Sequence, residues 1–167
     1  AIDARRMLSG IALPLVHRLA DIGAVVEHAA DVLLVDRMPP PRGGKPISQV
    51  VLCAPDVGRT DFERWAPGVL AQSERVALYS NASDSALIAS KVKHAESRAG
   101  DAWHPVLAPV IEVVDCSRVD LTMMGHSYFG ENSDVLSDLF MLIKEGRPAD
   151  KRPHLELRKS ETGATYW

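Results

Sequence analysis

This chain is short of cysteine, of positive charge and of long apolar runs, and each shortage excludes a class of protein. No run of about 18 apolar residues occurs, so we expect no membrane-spanning helix. The net charge of -3 at pH 7 gives no support for a nucleic-acid partner. Cysteine and histidine never occur together at zinc-ligand spacing, so we expect no metal site.

The two cysteines, Cys53 and Cys116, each stand at the end of a strand-like run. We interpret them as small buried apolar residues, with a disulfide or metal pair as the minor alternative. Because they fit a reducing compartment, we expect a cytoplasmic protein. No glycine-rich phosphate loop follows a strand, because the glycine pair within residues 43–45 precedes one. This disfavours an unrelated nucleotide-binding domain, and we expect no cofactor.

Strand-like and helix-like segments alternate through most of the chain. With 46% apolar and 25% charged residues, the 167 residues suffice for one globular domain with a core. The last helix-like segment is amphipathic, and Gly146 is expected to end it. Alternation predicts right-handed crossovers and a parallel sheet, hence an α/β fold. The predicted strands are residues 47–53, 75–79 and 110–115, and the predicted helices are residues 61–72, 83–96 and 133–144.

Composition divides the chain into three parts. Residues 1–46 contain two helix-like stretches, of which the second, residues 24–36, holds an apolar run that also fits a strand, and they end in a connection rich in proline and glycine. Residues 47–146 carry the α/β pattern, and residues 147–167 form a polar tail. The basic residues of this tail are expected to be solvated: Lys151, Arg152, Arg158 and Lys159.

Two titratable residues follow consecutive strands, where parallel sheets collect their functional groups. Asp84 comes just after the second strand and begins a helix, and His126 lies in the loop after the third. Taken singly, Asp84 fits a helix cap and His126 a surface loop. Their order along the chain is the Asp…His order of α/β-hydrolases, in which the histidine is the general base and the acid orients it.

Four blocks of sequence, from about residue 49 to residue 146, carry a resemblance to a known family. The chain resembles a bacterial α/β-hydrolase family of unknown function, often described as esterase- or lipase-like. Its members read APDV-x-x-x-x-F, YxSxxDxAL, IDxS and GHSYF, and the resemblance implies that Asp84 and His126 are triad partners acting on a small-molecule ester. Asn81 stands where the family has serine. The matching blocks here are VVLCAPDVGRTDF, VALYSNASDSALIAS, IEVVDCS and GHSYF.

The chain departs from this family at the nucleophile. The family has an elbow of HSMG type ahead of the APDV strand, and this sequence contains neither that nor G-x-S-x-G. Ser9 lies inside a helix-like stretch, and Ser127 follows the acid in the wrong order. The resemblance therefore implies the C-terminal part of an esterase that begins at or just after its serine, and that is weak or inactive alone.

Further expectations accompany that interpretation. A non-catalytic binding or interaction module that keeps the hydrolase shell is the alternative function. Without an elbow strand beside it, the first predicted strand would present an open edge that favours self-association. A protein that sediments as a monomer and melts cooperatively would contradict this.

Residues 25–46 form a longer connection than the family needs, either a lid or a divergent loop. Asp56 of APDV orients the active-site loop or simply forms a turn, and Tyr128 and Phe129 wall an acyl pocket or pack in the core.

Overall fold

The protein is built around a parallel β-sheet with helical crossovers, as seen in a computed structural model. The structure describes residues 24–26, 44–102, 110–119 and 132–167, the first of these as backbone alone. Its strands are β1 (Ala24–Val26), β2 (Ile47–Cys53), β3 (Ser73–Ser80) and β4 (Ile111–Asp115), paired in that order and all parallel. The predicted α/β class is confirmed.

Three helices follow the strands in the described part of the chain. Helix α1 (Arg59–Gln72) joins β2 to β3, α2 (Ser85–His94) follows β3, and α3 (Ser133–Ile143) follows β4. The sequence predicted all three to within a few residues. Gly146 does not end α3 directly: the helix closes at Lys144, and Gly146, with φ of 63°, turns the chain just beyond it.

The strands alternate their side chains between two apolar clusters, one on each face of the sheet. On β2, Val50 and Leu52 belong to the first cluster, whereas Val51 and Cys53 belong to the second. Helix α1 covers the first face and α3 the second, because Phe62 and Val69 are buried in the first cluster and Val135 and Leu142 in the second. Burial on both faces explains the near-continuous apolar strands.

Two expectations for the beginning of the sheet are wrong. Ala24–Val26 is a strand, although residues 24–36 favoured a helix. It pairs in parallel with residues 50–52, so β2 lies between two strands and does not present the open edge that the missing elbow strand implied. Self-association itself stays a prediction, but the edge of β2 does not supply it.

The C-terminal segment packs against the sheet instead of forming a solvated tail. After a 3₁₀ turn at Ala149–Lys151, strands β5 (Arg158–Lys159) and β6 (Thr165–Tyr166) form a small antiparallel pair. The main chain of Trp167 then makes two hydrogen bonds to β4, in the pattern of a parallel pair around Val114. Of the basic residues expected in solvent, Lys151 is exposed but Arg152 is fully buried.

Candidate active site

The site is best defined by Asp84, which lies between the end of β3 and the start of α2. Its side chain is buried, with 3% of the residue exposed. Oδ1 accepts hydrogen bonds from the main-chain N–H groups of Ala86 (2.9 Å) and Leu87 (3.1 Å), which makes Asp84 the N-cap of α2. The positive end of the helix dipole also favours a carboxylate here. The predicted cap is therefore confirmed, and it fixes the orientation of the carboxylate.

The turn that leads into Asp84 is tied to the segment that follows α2 and to the end of β4. The N–H of Asn81 donates to the carbonyl of Gly100 (2.8 Å), and the N–H of Ala82 donates to Oγ of Ser117 (2.8 Å). The Asn81 side chain closes the turn, because its Oδ1 accepts the N–H of Ser83 at 2.7 Å. A serine can make the same local bond more weakly, so the departure from the family pattern at Asn81 preserves the turn.

The APDV loop forms the adjoining part of the site and begins with an unusual backbone angle. Ala54 has φ of 39°, in the left-handed region that costs a residue with a β-carbon about 1–2 kcal/mol. Asp56 does more than form a turn. Its Oδ1 accepts hydrogen bonds from Nε of Arg98 (2.6 Å) and from Oγ of Ser90 (2.7 Å). Asp56 thus orients this loop by joining it to α2 and to the segment that follows α2.

That segment, residues 97–101, lies across the carboxyl ends of β2 and β3. The N–H of Gly100 donates to the carbonyl of Pro55 (3.1 Å) and the N–H of Ala99 to that of Val57 (2.8 Å). A β-carbon on Gly100 would lie 2.5 Å from the carbonyl carbon of Ala54, so only glycine fits this close approach. The segment and the APDV loop therefore behave as one packed unit beneath the site.

A cleft of about 640 Å³ opens beside this unit. Its apolar wall comes mainly from α2, where Ile88 and Val92 are 51% and 79% exposed. Lys91 forms an ion pair of 2.8 Å with the buried carboxylate of Asp101 in the same cleft. Asn81 also lines it, so the cleft reaches the turn that carries the acid. Its size lies in the range of small-molecule sites.

The remaining predicted site residues lie outside the described residues. These include His126, so the structure gives no distance between it and Asp84. The same holds for the residues considered as nucleophiles and as pocket walls: Ser9, Ser127, Tyr128 and Phe129.

Other residues of the site were missed at the level of the sequence. Ser117, Gly100 and Arg98 hold the acid's turn and the APDV loop, and only the IDxS block, which contains Ser117, gave a signal for any of them. Glu96 was missed too: its carboxylate accepts the N–H of Thr60 (3.0 Å) at the start of α1, where no side chain of the helix supplies a cap. Hydrogen bonds from Thr60 lower the pKa of Glu96.

The described ranges contain neither a cluster of metal-binding side chains nor a membrane-spanning helix. No three side chains of His, Cys, Asp or Glu come together there in a way that could hold a metal ion. None of the described helices is both long enough and apolar enough to cross a bilayer.

Comparison with known proteins adds a family to this geometry. No curated protein and no solved structure matches the chain. Residues 19–145, more than half of the chain, match the model of the family described as "Alpha/beta hydrolase of unknown function (DUF900)". The matched range includes β1 to β4, the turn with Asp84, and His126. A parallel α/β sheet and a family match of this extent lead to one conclusion: the chain belongs to this alpha/beta hydrolase family.

Proposed function

We propose that the protein hydrolyses a carboxylic ester by a Ser-His-Asp mechanism in which Asp84 is the acid and His126 the base. The observation that carries this proposal is the environment of Asp84. A buried carboxylate, oriented by two main-chain amides at the carboxyl end of a parallel strand, is what an imidazole needs as its partner. Membership of an α/β-hydrolase family raises the expectation without establishing the reaction.

The proposed roles follow from ordinary acyl-transfer chemistry. His126 removes the proton from a serine hydroxyl as its oxygen attacks the ester carbonyl carbon, and it returns that proton to the departing alcohol. Water then attacks the acyl-enzyme with the same histidine as base, releasing the acid and free serine. The carboxylate of Asp84 selects the imidazole tautomer and stabilises the imidazolium. We assign no serine of this chain to the nucleophile, since no elbow pattern is recognisable.

The cleft beside the acid supports a small-molecule substrate. Leu87, Ile88 and Val92 give its α2 wall an apolar surface that suits an uncharged acyl or alcohol group. Lys91 of the same wall is neutralised by its ion pair with Asp101. Nucleic acid is not among the proposed partners, because the chain has a net charge of -3. Both cysteines are buried, which fits small apolar residues in a reducing environment, so the proposed location is the cytoplasm.

The test uses the full-length protein. We expect a fluorophosphonate probe to label one serine, and a p-nitrophenyl ester of a short acid to be hydrolysed. Asp84→Ala and His126→Ala should each lower hydrolysis by about 10³-fold or more, because members of a triad act as a unit. Lys93→Ala, a change on the exposed part of α2, is the matched control and should keep full activity.

Two results would overturn the proposal. One is a folded protein that neither reacts with the probe nor hydrolyses esters, which would favour the alternative of a non-catalytic module. The other is hydrolysis that survives both substitutions, which would assign the reaction to other residues.

A further inference from the structure

The three residues before Asp84 each have a hydrogen-bond partner for their main-chain amide. The amide of Asn81 is bonded within the fold to Gly100, and that of Ser83 is bonded locally to the Asn81 side chain. The amide of Ala82 is bonded to a side chain from a different strand end, the hydroxyl of Ser117. Ser117 is therefore the one side chain beyond β4 that holds this turn by a hydrogen bond in the described part of the chain.

The direction of the Ser117 hydrogen bond is set by a carboxylate behind it. The hydroxyl of Ser117 donates to Oδ1 of Asp115 at 2.5 Å, and its main-chain N–H donates to the same oxygen at 2.9 Å. A hydroxyl has a single proton. Since Asp115 takes that proton in a charge-assisted bond, a lone pair of the oxygen is left to accept the N–H of Ala82. The three groups form a short relay from the end of β4 to the acid's turn.

The relay joins the two strand ends that matter for the proposed reaction. Asp115 is the last residue of β4 and lies opposite Ser80 at the end of β3, so the relay crosses between neighbouring strands at their carboxyl ends. Ala82 stands two positions before Asp84, and from Ser117 the chain continues towards His126. Any slip of the turn moves the carboxylate relative to the loop that carries its partner.

We infer that Ser117 is a positioning residue for Asp84, held in its orientation by Asp115. This inference rests on the proposed function. Loss of the hydroxyl leaves the amide of Ala82 without its acceptor and loosens the turn, while the cap of α2 stays in place. Small displacements of catalytic groups can cost about 100-fold in rate. The effect should fall on the chemical step and not on substrate binding.

The first part of the test compares kinetics in the complete protein. Ser117→Ala is expected to lower kcat about 10- to 100-fold with KM within about twofold. Ser117→Thr keeps the hydroxyl and should retain most of the activity. Ser83→Ala is the matched control: it makes the same change within the turn, but the Ser83 side chain is exposed and only its main-chain N–H is bonded. Its kcat should be unchanged.

The second part separates this inference from the proposed function by a spectroscopic signature. An imidazole N–H that donates to a carboxylate gives a downfield proton resonance, which we expect for His126 in the wild type and not in Asp84→Ala. In Ser117→Ala the resonance should move upfield. A resonance that is absent or indifferent to Asp84 refutes the pair, and with it the role of Ser117. The role of Ser117 alone is overturned if the resonance depends on Asp84 but both the resonance and kcat are unchanged in Ser117→Ala. A lower melting temperature of that variant would not rescue the role.

Discussion

At the scale of single residues, Asp84 has a structural and a proposed chemical role that one pair of substitutions can separate. Asparagine can keep the cap of α2 through its amide oxygen but has no negative charge, whereas alanine removes both. We expect Asp84→Asn to fold with nearly wild-type stability and to lose most ester hydrolysis. Asp84→Ala should lose about 1 kcal/mol of stability as well. Urea denaturation measures the stability, and initial rates measure the ester hydrolysis. An active Asp84→Asn variant would show that Asp84 caps α2 and has no catalytic role.

Cys116 gives a prediction about pH. Burial, followed by the nearby carboxylate of Asp115, raises the pKa of its thiol from 9.0 to about 12. The folded state thus favours the neutral thiol, and its contribution to stability is complete below pH 9 and is lost progressively as the pH rises towards 12. Burial raises the pKa of Tyr79 as well, which adds to the loss above pH 10.

We expect the free energy of unfolding of the wild type, measured by urea denaturation, to fall steeply between pH 9 and pH 10.5. The Cys116 thiol should contribute up to about 1.4 kcal/mol per pH unit to this fall. Cys116→Ala removes the thiol, so it should be less stable than the wild type at pH 8 but should lose less stability on going to pH 10.5. Parallel pH profiles for the two proteins would show that Cys116 does not titrate in this way.

How much of the site could be predicted also becomes clear residue by residue. Asp84 was found because its signal is local: a capping residue follows a strand and precedes a helix. Gly100 and Ser117 were missed as supports because their importance depends on contacts across the fold, to Ala54 and Ala82, that no local pattern encodes. The capping position of Asp84 is thus readable from sequence, whereas the groups that hold its turn are not.

At the scale of elements, the sequence predicted the three helices and the longer strands, but it missed β1 and the short strands β5 and β6. Helix α3 has its apolar residues on one face, and β2 to β4 are runs of apolar residues bounded by turns. Strand β1 has three residues and owes its conformation to pairing with β2, so its own propensity could not decide between helix and strand. The apolar run of residues 32–35, which also fitted a strand, lies outside the described residues.

The packing of residues 97–101 on the APDV loop gives a prediction at this scale. Gly100→Ala places a β-carbon 2.5 to 2.7 Å from main-chain atoms of Ala54 and Pro55, which cannot move without opening the loop. We expect a loss of about 1–3 kcal/mol of stability, measured by urea denaturation. Gly58→Ala is the comparison, because its β-carbon would meet only the side chain of Glu96, which can rotate away at the loss of its hydrogen bond to Thr60, worth about 1 kcal/mol. Equal losses in both variants would contradict the close approach at Gly100.

At the scale of the whole molecule, a buried ionic cluster joins the C-terminal segment to the sheet and to α3. Arg152 donates to Asp138 of α3 (2.6 Å), to Glu112 of β4 (2.9 Å) and to the hydroxyl of Tyr79 on β3 (2.9 Å). An arginine in a polar stretch ordinarily indicates a solvated position, so the prediction of a solvated Arg152 is wrong. The carboxylates that stabilise it lie on elements distant in sequence.

This cluster makes the C-terminal segment part of the folding unit, and its removal should show that. Arg152→Ala leaves the buried carboxylate of Asp138 without its cation, whereas Glu112 keeps Arg75 at 3.9 Å, and we expect a loss of about 3–5 kcal/mol of stability in urea denaturation. Arg158→Ala breaks only an exposed pair with Glu156 and should cost less than about 1 kcal/mol. Adding Asp138→Asn to Arg152→Ala removes one orphaned charge and should recover part of the loss. If Arg152→Ala were no more damaging than Arg158→Ala, the segment would be an appendage of the fold. A large loss with partial recovery means instead that the last residues of the chain hold β3, β4 and α3 in the arrangement on which the position of Asp84 depends.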